Sequence, residues 1–293
     1  HPYISFKYDS SKHKILIDRL SGKRGMNPFY NSFHGINFFV DRLEIDLFSN
    51  SCFLFHYAQG RDVNALFESN NFFSKKRYND LLKLSLNPVE LLLKFDQKNI
   101  SNTSHSVKDF ARFNGLSDVD SMNIVIDLEL LGFINYSHFG DIFYIKDRLF
   151  DFIDSYYDKF DYDNLQVEAF AGIGDTIATI EFDNAIMDIN NIYRINITNR
   201  FDLGLYPMSN RISFYGNKSF YMDGNIYIGN FALSGRSIKF NYDDFTFNFG
   251  NQSVLSFSDQ QSDSLSSSLI HFNSGTLFLD TMNNKAGLSK FND

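Results

Sequence analysis

Tryptophan is absent from the 293 residues, proline occurs four times and cysteine once, and each scarcity closes off a class of structure. Cys52 stands alone, so the chain can form no internal disulfide and no cysteine-rich metal centre. In the apolar run Cys52-Phe53-Leu54-Phe55 it reads as a small buried hydrophobe. Positive charge is also short: 27 Lys and Arg face 35 Asp and Glu, for a formal net charge of −8. That balance argues against long-range attraction to phosphate backbones or anionic membranes. The densest basic runs, Lys23-Arg24 and Lys75-Lys76-Arg77, are brief and read as solvated surface. No apolar stretch approaches the roughly 18 to 20 residues that span a bilayer, so no transmembrane helix is expected. No signal-peptide pattern is present. The chain opens on His1-Pro2, which reads as an excised or processed piece of something longer.

What the sequence has in quantity is phenylalanine, 34 residues, with 16 tyrosines beside it. Aromatic-rich, proline-poor text favours strands. Residues 3–8 alternate, 14–18 follow a polar turn, and 36–47 keep a two-residue period for a long stretch. Ser49-Asn50-Ser51 then turns the chain into 53–57, and a short helix is expected from Ser74. Beyond Asp161, ten short strands are predicted between 176 and 249, separated by turn residues such as Asn190-Asn191, Asp223-Gly224 and Asp243-Asp244. Such even spacing suggests stacked short strands, solenoid-like or β-sandwich-like, in which each unit needs neighbours to cover its inner face. The textures of 38–47 and 180–189 are alike, so both β regions are expected to share one stack. Residues 253–268, rich in Ser, Asp and Gln, read as a flexible loop, with a last strand in 269–279 and a frayed tail.

Between these regions the period becomes helical. Asn87 caps a helix that starts at Pro88 and carries Glu90 at its third position; a second helix is predicted over 107–113 behind Ser106, stopped by Asn114-Gly115. A third spans 118–131 behind Ser117 and ends at Gly132, and a hairpin follows through 133–145. One more helix is expected over 149–157. Three short helices and a hairpin make the order of a winged helix, and the phrase Leu130-Leu131-Gly132-Phe133-Ile134 resembles that family. The fold class is therefore α+β, mainly β, with an inserted winged-helix-like module. The regions are 1–86, 87–157 and 158–293.

Chemistry is hard to find. The histidines His1, His13, His34, His56, His105, His138 and His271 are scattered, with no i, i+3 or i+4 pair that would seat a metal on a helix. No nucleophile elbow, phosphate loop or dinucleotide fingerprint occurs, so neither an enzyme nor a cofactor is expected. Asp154, Asp158, Asp161 and Asp163 crowd one stretch, and Asp158, Asp161 and Asp163 are the candidates for a calcium site. The twelve-residue calcium-loop pattern fails there for want of its turn glycine, which favours a solvated acidic linker. The third helix, which would enter the DNA groove, carries Asp118, Asp120, Asp127 and Glu129 and no Lys or Arg. Between Asn87 and Asp151 ten acidic residues face six basic ones, which disfavours nucleic acid as a partner.

The phrases His1-Pro2-Tyr3-Ile4-Ser5-Phe6-Lys7-Tyr8, 27–34, 67–73 and Gly224-Asn225-Ile226-Tyr227-Ile228-Gly229-Asn230-Phe231 resemble internal stretches of large envelope proteins of Bacteroidota-type bacteria. That resemblance implies a segment of a longer exported chain and brings no catalytic residues. Asp175-Thr176-Ile177, Asp263-Ser264-Leu265 and Asp280-Thr281-Met282 look like acceptors for O-glycosylation in such bacteria. The expected function is a non-catalytic scaffold or protein-interaction segment in the periplasm or cell envelope. Its partner would be a protein or the remainder of a larger chain. The alternatives are a cytoplasmic winged-helix nucleic-acid regulator and a carbohydrate- or lipid-binding β protein.

Overall fold

The computed structural model describes residues 4–19, 28–57, 64–84, 86–99, 103–137, 139–170, 172, 174–257 and 268–288. In chain order the first strands are β1 (Ile4–Asp9), β2 (Lys14–Arg19), β3 (Phe29–Asn31), β4 (Ile36–Phe39), β5 (Arg42–Asp46), β6 (Ser51–Phe55) and β7 (Ala65–Ser69). Next come α1 (Lys75–Leu82), α2 (Pro88–Lys98), β8 (His105–Ser106), α3 (Val107–Asn114), α4 (Asp118–Leu130), β9 (Ile134–Ser137), β10 (Ile142–Ile145) and α5 (Asp147–Tyr156). The chain then runs through β11 (Gln166–Ala169), β12 (Thr176–Glu181), β13 (Ile186–Ile189), β14 (Ile192–Asn196), β15 (Leu203–Pro207) and β16 (Ile212–Gly216). It closes with β17 (Ser219–Ile228), β18 (Phe231–Asn241), β19 (Thr246–Phe249), β20 (Ser253–Phe257), β21 (Ser268–Phe272) and β22 (Gly275–Phe278). The protein is mainly β, and the described residues fall into two compact units: 4–19, 28–72 and 161–288 in one, Phe73–Phe160 in the other.

The first unit holds two antiparallel sheets. The larger follows the path β1-β2-β5-β6-β12-β13-β16-β17-β18-β19-β22, and the smaller runs β14-β11-β7-β4-β3. Five hairpins in these sheets share one loop length: Asp9 pairs with Lys14, Asn31 with Ile36, Asp46 with Ser51, Glu181 with Ile186 and Asn241 with Thr246. Each four-residue loop ends on a left-handed residue: His13, Gly35, Asn50, Ala185 and Phe245. The side chain before the loop often holds it shut. Asp46 Oδ1, for example, accepts from the Phe48 and Ser49 amides at 2.9 and 3.1 Å, and Asn31 Oδ1 accepts from the His34 amide at 3.0 Å. In these hairpins the even spacing of short strands is realised by loops that return the chain antiparallel to itself, so that the two strands of each pair lie side by side.

Equal loops keep the strands in register. One row of paired positions passes from Ile15 through Ile45, Cys52, Ile180, Met187, Phe214, Phe220 and Phe240 to Phe247. From Cys52 onward the row is buried. Ring centroids along it lie 5.4 Å apart for Phe214 and Phe220, and 5.0 Å for both Phe220 with Phe240 and Phe240 with Phe247. This aromatic ladder supplies much of the core shared by the two sheets, which Phe38, Phe67, Val167 and Ile195 line from the smaller one.

Four sequence expectations fail in this unit. The long strand expected over 36–47 is two strands in different sheets, because the chain turns a corner at Val40 and Asp41, where the Asp41 carboxylate accepts the Tyr57 amide at 2.6 Å. The turn expected at Asp223-Gly224 is instead the middle of β17. There the strand bulges against β18, and Gly224 lies so close to the Tyr206 carbonyl that no Cβ fits. The stretch 253–268, expected as a loop, contains β20 and the first residue of β21; residues 258–267 lie outside the described set. The single strand expected over 269–279 is likewise two, β21 and β22.

The second unit is helical with a small sheet, β8-β10-β9. Its helix starts follow the caps in the sequence: Asn87 Oδ1 accepts the Val89 and Glu90 amides, and the hydroxyls of Ser106 and Ser117 accept those of Lys108 and Asp120. Gly115 closes α3 in the left-handed conformation at φ 64°. Leu92, Phe95, Phe110, Val125, Leu128 and Phe143 form the core. Helix α1 belongs here, because Tyr78 stacks on Tyr156 of α5 with centroids 3.9 Å apart.

Candidate functional site

The four aspartates singled out in the sequence have separate duties. Asp158 is exposed, in the left-handed conformation, and pairs with Lys75 at 3.2 Å. The main-chain oxygen of Asp154 accepts the Lys159 amide at 2.8 Å. Asp161 receives the amides of Lys285 and Ala286 at 3.1 and 2.8 Å. Asp163 is buried and receives the Leu165 amide at 2.8 Å, the Tyr242 hydroxyl at 2.6 Å and the Ser69 hydroxyl. Among the described residues no three His, Cys, Asp or Glu side chains gather as a metal site would require. Burial pushes the Cys52 thiol up to about 12, which suppresses the reactive thiolate.

Asp163 leads to a cluster that sequence reading missed. Lys218 sits in the turn between β16 and β17 with only 3% of its surface exposed, and no other lysine or arginine among the described residues is buried so far. Its Nζ donates to Asn70 Oδ1 at 2.9 Å and lies 4.0 Å from the centre of the Tyr242 ring. Lys285 Nζ approaches the same ring to 4.7 Å. Burial lowers the Lys218 pKa, the charge of Asp163 opposes that shift, and the charge of Lys285 reinforces it. Tyr242 is shifted upward by burial, with the nearby Asp163 charge second. The backbone fixes both ends of the cluster on one loop: the Lys218 amide donates to the His34 carbonyl at 2.8 Å, and the Asn70 amide donates to the Gly35 carbonyl at 2.9 Å. A Cβ on Gly35 would stand 3.4 Å from the Lys218 stem. In the sequence, Asn217-Lys218 looks like any polar turn.

The outer face of the large sheet has a different character. A second row in register crosses Asp188, Ser213, Tyr221, Lys239, Asn248 and Thr276. Arg211 pairs with Asp188 at 2.5 Å, and the Tyr215 and Tyr221 rings lie 4.4 Å apart with Lys239 Nζ 4.9 and 5.9 Å from their centres. A shallow groove of about 460 Å³ borders β19 and β22, lined by Asp244, Asn248, Thr276, Phe278 and Met282. Phe278 and Met282 are 73% and 51% exposed. Such a face offers ring surfaces and hydrogen-bonding groups over a broad area.

No family model matches the chain, and neither a curated protein nor a solved structure is similar to it.

Proposed function

We propose that the chain is a non-catalytic scaffold or protein-interaction segment of a larger, envelope-associated protein, which presents the outer face of its large sheet to a protein partner. The observation that carries this reading is the row from Asp188 to Thr276, where tyrosine, lysine and short polar side chains stand in register across six strands. Mixed rings and polar groups on a broad surface suit a protein interface. The exposed Thr281 of Asp280-Thr281-Met282 supports an envelope address, since an acceptor hydroxyl there is within reach of a modifying enzyme.

The winged-helix-like order of α2, α3, α4 and the β9–β10 hairpin serves the same purpose as a structural or protein-binding module. Asp118 and Asp120 are exposed at the start of α4, where DNA phosphates would be met with like charge. A photo-crosslinking residue in place of Tyr221, in the full-length protein within its own cells, tests the reading. Discrete protein adducts that vanish with Lys239→Glu are expected. Binding of random duplex at micromolar protein and low salt, or a specific hit on a glycan array abolished by Tyr215→Ala, overturns it.

A further inference from the structure

We propose that Lys218 and Asn70 become joined, once the chain has folded, by an isopeptide bond between the lysine Nζ and the asparagine Cγ. The nitrogen already touches the amide it would attack, at 2.9 Å from Oδ1. Reacting groups held at contact distance by a rigid fold gain the large rate advantage of an intramolecular reaction. Rigidity here is visible in the backbone: the amides of both residues are tied to the neighbouring carbonyls of His34 and Gly35, and the lysine stem rests on Gly35.

An amine in water does not attack a carboxamide at useful rates, because it is protonated and its target is a poor electrophile. Burial lowers the first obstacle at this site, and fixed contact with the amide offsets the second. Burial disfavours the ammonium form, and Lys285 on the same aromatic ring disfavours it further. Asp163 is the acid whose charge acts most strongly on Lys218, and its carboxylate is fixed by Ser69, Leu165 and Tyr242. It holds the Tyr242 hydroxyl, and with it the ring on which the Lys218 Nζ lies, and so serves as a positioning residue.

The step balances without an oxidant or a co-reactant. The Nζ–Cγ bond forms and the Cγ–Nδ2 bond breaks. Lys218 enters as ammonium and gives up two protons in all. One passes to Nδ2, which departs as ammonia, and the other leaves with that ammonia as ammonium. The product is a neutral secondary amide, which removes a buried charge and ties the segment after β7 to the turn between β16 and β17.

Intact mass measurement of the full chain, followed by peptide mapping, tests the proposal. The expected result is a mass one ammonia below that of the sequence and a branched peptide that joins Asn70 to Lys218. Lys218→Arg and Asn70→Ala should each restore the full sequence mass. Asp163→Asn should leave the pair unlinked and Asp163→Glu should restore the link. In newly synthesised chain that is still unlinked, folded at a series of pH values, the link should form faster as pH rises and Lys218 gives up its proton. A wild-type chain at full sequence mass overturns the proposal without reference to any variant. So does a lost ammonia that maps to a succinimide within a single peptide, and linkage of Asp163→Asn at the wild-type rate overturns the role of that residue.

Discussion

Tyr242 and Asp163, 79 residues apart in the chain, share a 2.6 Å hydrogen bond in the interior of the first unit. The tyrosine hydroxyl is one of three donors that neutralise the demand of this buried carboxylate; the others are the Ser69 hydroxyl and the Leu165 amide. Tyr242→Phe removes one donor and keeps the ring, so it should cost about 1–3 kcal/mol in urea denaturation. Asp163→Ala strands all three donors at once and should cost more. Equal losses for the two variants would show that the carboxylate is not the hub.

The aromatic ladder makes a sharper contrast. Phe220 is fully buried between Phe214 and Phe240, whereas Phe6 on β1 is 64% exposed. Phe220→Ala should lower stability by roughly 3–5 kcal/mol through the cavity it leaves. Phe6→Ala should stay within about 0.5 kcal/mol. Thermal and urea unfolding of the two variants, measured side by side, check the ratio.

Much of this fold can be read from the chain, and the failures have a common cause. Helix starts at Asn87, Ser106 and Ser117 are local events, set by a side-chain oxygen two or three residues from the amides it accepts, and the sequence displays them. Individual strands show in the same way. A corner such as Val40-Asp41 does not interrupt alternation, so one periodic stretch conceals a change of sheet. Gly224 looks like a turn signal, yet its role is to admit the Tyr206 backbone, a neighbour that only the folded sheet supplies. The Lys218 cluster was the least legible, because Asn70 lies 148 residues away and each partner alone is an ordinary polar turn residue.

His34 should make the first unit sensitive to mild acid. It is 1% exposed, with Nε2 2.9 Å from the Ala185 carbonyl, and burial lowers its pKa below the ordinary value of 6.5 against the opposing hydrogen bonds to Ala185 and Phe214. The unfolded chain therefore takes up a proton below 6.5 that the folded chain resists. Stability from this residue is complete above 6.5 and declines as pH falls toward the depressed folded value. Urea midpoints from pH 7.5 down to 5 should show this decline, with a shallower slope in His34→Gln. An unchanged slope would assign the acid sensitivity to other groups.

Two glycines with positive φ should respond unequally to alanine. At Gly224, φ is 154° and the added Cβ would strike the Tyr206 carbonyl, so the loss should exceed the ~1–2 kcal/mol that backbone strain alone would cost. At Gly115, φ is 64° and the space around the new Cβ is open, which leaves only backbone strain of about 1–2 kcal/mol. Restoring Tyr206→Gly beside Gly224→Ala should not rescue stability, since the obstructing atom is main chain.

The order of strands in the large sheet also has a mechanical meaning. With β1 and β22 at opposite ends of its path, a pull applied through those two strands acts across the ladder and opens one pair of strands at a time. A sheet loaded this way yields early and gradually, much as cloth tears along a seam. A covalent tie between residues 70 and 218 would stand in the path of that tear, because it binds the middle of the large sheet, at β16 and β17, to the segment that follows β7. Beyond that point the force would fall on a covalent bond, and the strands between residues 70 and 218 would hold at loads that their hydrogen bonds alone could not bear.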